Sequence, residues 1–182
     1  MNGNTILFPT SLFVAILQRD VMKTLTLTQP WAQLVTLGAK RIETRSWSTE
    51  YQGPLAIHAA KSFPQWAEDL CEDEPFRSSL EDAGYPWKPG MKHNPQCLPT
   101  GQVIAVGWLE QVERITPNFP VVPIERAFGT YTPGRYAWRF STIYRLATPI
   151  AARGSLGLWK WQPPEAFWNE IQTQYDQERA SR

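Results

Sequence analysis

The sequence predicts one α+β domain, a small, partly open β-barrel with helices on its rim. Strand-like segments predominate, turns rich in Gly and Pro separate them, and helical patterns are confined to an early, a middle and a terminal position. A chain of 182 residues fits one domain and can bury a proper core. The reading assigns residues 22–165 to the domain, 166–182 to a C-terminal helix with a frayed tail, and 1–21 to an extension upstream of Met22, which opens "MKTLTLTQPWA" like a natural start. The apolar "TILFPTSLFVAIL" is broken by Pro9, lacks a basic flank and a small-residue cleavage site, and is too short to span a bilayer. The expectation is a cytoplasmic protein with no membrane partner.

Taken in order, "KTLTLT" alternates with Leu25 and Leu27 on one face and reads as a first strand. Thr28 is placed to cap a short helix that tolerates Pro30 in its first turn; Trp31, Leu34 and Val35 share its inner face, and Gly38 suits the position past its end. From Ile42 the spacing suits a strand, with Glu43 and Arg45 on one face and Lys40 in the turn before it. "GPLAIHAAK" is a second strand: Leu55, Ile57 and Ala59 look like core, while Ala56, His58 and Ala60 form a face with room above it or under a closely packed helix. Residues 65–82, with seven carboxylates against Arg77, read as a solvated helix, followed by a long Pro-rich loop at 84–100. "GQVIAVGWLEQV" is apolar on both faces and therefore central; "GRYAWRFSTIYRLATPI" gives one or two strands; "RGSLGLWKW" turns into a Trp-rich strand. Pro163 and Pro164 start a last amphipathic helix with Phe167, Trp168, Ile171 and Tyr175 inward, fraying in "DQERASR".

Composition narrows the function classes. A net charge of +1 means that nucleic-acid binding has to come from a local patch rather than the average field. From Arg126 to Lys160 there are six basic residues and no acidic one, a track that a nucleic-acid backbone could follow if the charges share a face. Nine Trp favour an aromatic-lined pocket or stacking platform. Cys71 and Cys97, with His58 and His93, give neither a disulfide framework nor zinc spacing, so neither a metal nor another cofactor is expected.

The stretch "LGAKRIETRSW" concentrates Lys40, Arg41, Glu43 and Arg45 between a helix end and Trp47. A salt-bridge cluster that pins a turn is the plain reading, and exposed pairs of this kind contribute only ~0–1 kcal/mol. The alternative is a site in which Glu43 orients the flanking cations, leaving Lys40 or Arg45 to meet a phosphate or a base edge. Lys40, among other cations, would have a lowered pKa and could act as a general base. Trp47 is the better wall for a stacked base and Trp31 the better core residue; His58 is a cleft candidate, and Lys61 and Arg153 are candidates for phosphate contact.

"TQPWAQLVTLGAKRIETRSW", "YQGPLAIHAAK" and "PIAARGSLGLWKW" together resemble an activating-signal-cointegrator homology (ASCH) domain, over about Met22 to Trp161. The family's hallmark Gly-x-Lys-x-x-Glu-x-Arg is matched by Gly38, Lys40, Glu43 and Arg45. The resemblance implies a PUA-like β-barrel, related to EVE and YTH domains, whose cleft is lined by the motif and receives RNA or a nucleotide with a modified base. Lys40, Glu43, Arg45, Trp47, His58, Lys61 and Arg153 would then be the binding residues.

Some small bacterial members deacetylate N4-acetylcytidine with the motif lysine, a threonine at the motif's glutamate position and a further glutamate. Here Glu43 stands at that position, Thr44 points to the opposite face by strand parity, and Glu110 is the nearest guess for the further glutamate. Other members are linked to ribonuclease activity. As an enzyme, the chain would be an amidohydrolase or ribonuclease using Lys40, Glu43 and His58. A protein partner through the loop at 84–100 is a third reading.

Overall fold

A computed structural model describes residues 21–85 and 98–180. Residues 1–20 of the extension and 86–97 of the Pro-rich loop lie outside the described residues, and with them the expectations placed there. Six strands form one mixed sheet: β1 (Met22–Leu27), β2 (Ile42–Arg45), β3 (Gly53–Ala59), β4 (Gln102–Arg114), β5 (Tyr136–Ala151) and β6 (Leu158–Trp161). Their spatial order is β2-β5-β4-β3-β1-β6. β4 sits inside the sheet between β3 and β5, which is why its sequence is apolar on both faces. β1 and β3 run parallel, with Thr26 beside His58; the other ladders are antiparallel.

The helices are α1 (Trp31–Thr36), α2 (Gln65–Asp69), α3 (Phe76–Glu81), α4 (Pro123–Ala127) and α5 (Glu165–Ala180), with a 3₁₀ turn at Leu70–Glu72. The helix expected over 65–82 is thus two short helices and a turn. Pro75 lacks the N–H and clashes with the preceding turn, so it starts α3 instead of continuing α2. At α1 the cap comes from Gln29, not Thr28: Gln33 N–H donates to Gln29 Oε1 at 2.9 Å. α5 stays helical to Ala180, past the expected fraying point, and buries Phe167, Trp168 and Ile171.

Alternation along β3 divides the core. Leu55, Ile57 and Ala59 join Leu25, Leu27, Val35 and Trp138 on one face, while Ala56 packs with Phe167, Trp168 and Ile171 on the other. Each fully buried Leu or Ile contributes roughly 1.5–3 kcal/mol. At Gly107 an added Cβ would stand 2.7 Å from Phe140 Cδ1, so only glycine lets β4 lie this close to the β5 side chains.

The sheet does not close. β2 and β6 are its two edges, with no ladder between them. It does curl. Arg45 Nη2, on β2, donates to Thr26 O on β1 at 2.9 Å, although three strands separate β2 from β1 in the sheet order. The opening is therefore bridged by a motif side chain.

Candidate functional site

Gly38 follows α1 with φ +71°, in the left-handed region that favours glycine. Its N–H donates to Val35 O, and that of Lys40 to Leu34 O at 3.0 Å, so the chain reverses tightly before β2. This turn inserts Lys40 into the protein with 0% of its surface exposed. Its Nζ donates to Ile42 O at 2.5 Å and lies 3.7 Å from Glu43 Oε2 and 3.9 Å from Glu125 Oε1. Burial lowers the lysine pKa, against the opposing pull of Glu43 and Glu125. The cation Arg45, the sequence-level reason for such a shift, adds only the smallest lowering.

Glu125 is the site residue that the sequence did not reveal. Its carboxylate accepts the N–H of Arg41 at 2.9 Å and of Ile42 at 3.0 Å, and the Tyr131 hydroxyl donates to it at 3.3 Å. It thereby fixes the start of β2 from α4, more than 80 residues away; a glutamate in "PIERA" carries no local signal of that pairing. Burial and the Glu125 carboxylate also push the Tyr131 hydroxyl pKa well above its ordinary value.

Glu43 and Arg45 share a face as expected, with Arg45 Nε 3.1 Å from Glu43 Oε1. Glu43 walls a cavity of about 300 Å³ together with Trp31, Thr44, Phe128, Gly129 and Thr130. Thr44 points to the other face of β2 and still reaches this cavity, because the 127–130 segment packs along the sheet's edge: Thr130 N–H donates to Thr44 Oγ1 at 3.3 Å. Trp31 is half-buried and donates from Nε1 to Phe128 O at 2.8 Å. A Cβ on Gly129 would lie 3.1 Å from Lys40 Nζ, so glycine keeps the cavity's backbone wall against the buried ammonium.

His58, Lys61 and Arg153 come together elsewhere, around a second cavity of about 380 Å³ that Thr26, Gly154 and Ser155 also line. Lys61 and Arg153 are exposed. His58 is 1% exposed, and of the two readings of its face close packing is the one observed: a Cβ on Gly154 would fall 2.5 Å from its Cε1. Its ring is also fully engaged. With Nε2–H donating to Ala152 O at 3.0 Å, Nδ1 accepts the Thr26 hydroxyl at 3.3 Å, and that hydroxyl accepts Trp159 Nε1–H at 3.0 Å. Arg45 lines neither cavity but ties a lining residue of one to a lining residue of the other: it pairs with Glu43 and donates to Thr26 O.

Burial lowers the His58 pKa below its usual 6.5. The unfolded chain then binds the proton more readily, so this group's stabilisation is complete above pH ~6.5 and is lost as pH falls toward the folded value. Melting temperatures measured from pH 7.5 to 5 should fall less steeply for His58→Gln than for the parent protein. Equal slopes would refute a buried neutral histidine.

Trp47 and, Arg153 apart, the cations of the basic run line neither cavity. Trp47 packs edge-on against Trp138, ring centroids 4.7 Å apart, as part of the core boundary. Arg135 donates to Thr44 O, Arg139 pairs with Glu113, and Arg145 lies over Tyr85. Arg135 and Arg145 stand ten residues apart, roughly 30 Å along extended chain, so the run is not one patch. Glu110 is exposed on β4 and lines neither cavity. Among the described residues no group of His, Cys, Asp and Glu is arranged to hold a metal, and no helix is long and apolar enough to cross a membrane.

An open six-stranded α+β sheet with a Gly-x-Lys-x-x-Glu-x-Arg turn walling a cavity at its edge defines the class of domain. The chain belongs to the ASCH domain family: the model of that domain matches residues 25–139, and the fold is α+β. No curated protein matches the chain. Among solved structures it is similar to the crystal structure of ASCH from Zymomonas mobilis, at 12% identity and a TM-score of 0.44, over 84% of this chain and 94% of that one.

Proposed function

We propose that this ASCH domain binds RNA, or a nucleotide carrying a modified base, with the base in the Glu43 cavity and the phosphate near Lys61 and Arg153. The observation that carries this reading is the division of charge between two cavities whose walls Arg45 ties together. The first presents a carboxylate among aromatic side chains, which suits the N–H edge of a base and repels a phosphate. The second presents two exposed cations, His58 and a serine, with no carboxylate in its lining, which suits a phosphate. In this reading Lys40 acts through Glu43, holding its carboxylate from behind the wall, and Arg45 stands between base and phosphate.

Glu43→Gln tests the assignment. It should weaken binding of a short single-stranded RNA, measured by fluorescence anisotropy, by about tenfold or more, the equivalent of one charge-assisted hydrogen bond. Lys61→Ala with Arg153→Ala should instead reduce the salt dependence of binding, since each phosphate contact contributes to that slope. Binding that neither change affects would remove both cavities from the interaction.

One observation favours a hydrolase as the second reading: burial lowers the Lys40 pKa, and its ammonium lies directly behind the glycine wall of the cavity. The corresponding reaction is water-dependent deacetylation of N4-acetylcytidine. Turnover by the parent protein, and none by a Lys40→Met variant shown by its circular dichroism and melting transition to remain folded, would support it. The committed ring nitrogens of His58 argue against its use as the acid or base of a ribonuclease.

A further inference from the structure

A third cavity, of about 270 Å³, lies between α1, the start of β4 and the middle of β5, away from the motif. Gln33, 1% exposed, lines it, and its side-chain amide nitrogen has no hydrogen-bond partner. Buried polar groups are ordinarily satisfied, and an orphaned amide donor facing a cavity marks a place where an acceptor is wanted. The neighbouring polar groups do not supply one. Gln29 accepts Gln33 N–H and donates to Pro99 O at 2.8 Å, and the Thr36 hydroxyl donates to Ala32 O.

Arg145 supplies the second donor. Its guanidinium lies over the Tyr85 ring, 5.4 Å from the centroid, and bonds the Tyr85 hydroxyl. Among the described residues no carboxylate pairs with it. Glu170, which touches the lining residue Ala147, is occupied by Ala147 N–H and the Gln174 amide. The remaining wall includes Ile104, Leu146 and Pro149. The cavity thus offers one fixed positive charge, one neutral donor and an apolar surface, with no lining carboxylate.

We propose that this cavity binds a small monocarboxylate, its oxygens held by Gln33 Nε2 and Arg145 and its apolar body against Ile104 and Leu146. A planar carboxylate matches the guanidinium fork, and a single negative charge is balanced by a single arginine. A phosphate dianion would be under-neutralised by the same set.

The test is a titration of ¹⁵N-labelled full-length protein with sodium propionate at constant ionic strength, with inorganic phosphate as the second probe. Propionate should shift the Gln33 side-chain amide resonances and the backbone amides of Gln102 and Leu146 saturably, and more tightly than phosphate. Arg145→Met should weaken the affinity by about tenfold or more. Arg145 is exposed, so this variant keeps the packing around Gln33 intact. Linear, non-saturating shifts, tighter binding of phosphate, or an Arg145→Met affinity equal to that of the parent would each overturn the proposal.

Discussion

Lys40→Ala should destabilise the domain by about 3–5 kcal/mol, the range seen when one partner of a buried ion pair is removed. The cause is the company it leaves behind. Glu43 and Glu125 both lie within 4 Å of the Lys40 ammonium, at 3.7 and 3.9 Å, and without it two carboxylates share a buried site with no cation between them. The Ile42 carbonyl loses its 2.5 Å donor at the same time. Urea denaturation would read the loss as a fall in the midpoint with an unchanged slope. A change below ~1 kcal/mol would return the motif to the status of an exposed salt bridge. Because a lowered lysine pKa means that the folded state releases its proton first, the contribution of Lys40 to stability should rise with pH between its folded value and 10.5.

Glu125→Ala is expected to cost about 3 kcal/mol, because it strands the N–H groups of Arg41 and Ile42 and removes a charge facing Lys40. The proposed RNA binding should weaken in this variant as well, because Glu43 loses its fixed position once the first residues of β2 are released. Since Lys40 and Glu125 belong to one network, the double variant should lose less than the sum of the single losses, and a double-mutant cycle measures the difference. Strict additivity would show that the two residues act independently.

The sequence made the local geometry of the motif legible and left its depth hidden. A glycine past a helix end, a lysine in the turn and two like-facing strand residues follow from periods of 3.6 and 2 and from the conformational freedom of Gly38. That Lys40 is swallowed whole depends on Glu125, whose partners lie more than 80 residues away, and no local pattern encodes that distance. At His58 the sequence leaves two readings open, a face with room above it or one under a closely packed helix. Small neighbours in the sequence were compatible with an open face, yet Ala56 is small because α5 packs over it, and the ring lies under the Gly154 turn. The break in the helix at 65–82 is readable in the sequence, because Pro75 cannot continue a helix from the preceding turn.

The bond from Arg45 to Thr26 gives the motif a mechanical duty that constrains how this domain can diversify. A residue that fastens two distant strands cannot be exchanged to suit a new ligand without loosening the fold, and Lys40 and Glu43 are bound into the same fastening. Changes of specificity should therefore be sought around the motif instead: at Thr130 and Ala127, which are exposed, and at Ser155 on the rim of the second cavity. An engineer seeking a new ligand would randomise those positions and leave Gly38, Lys40, Glu43 and Arg45 alone.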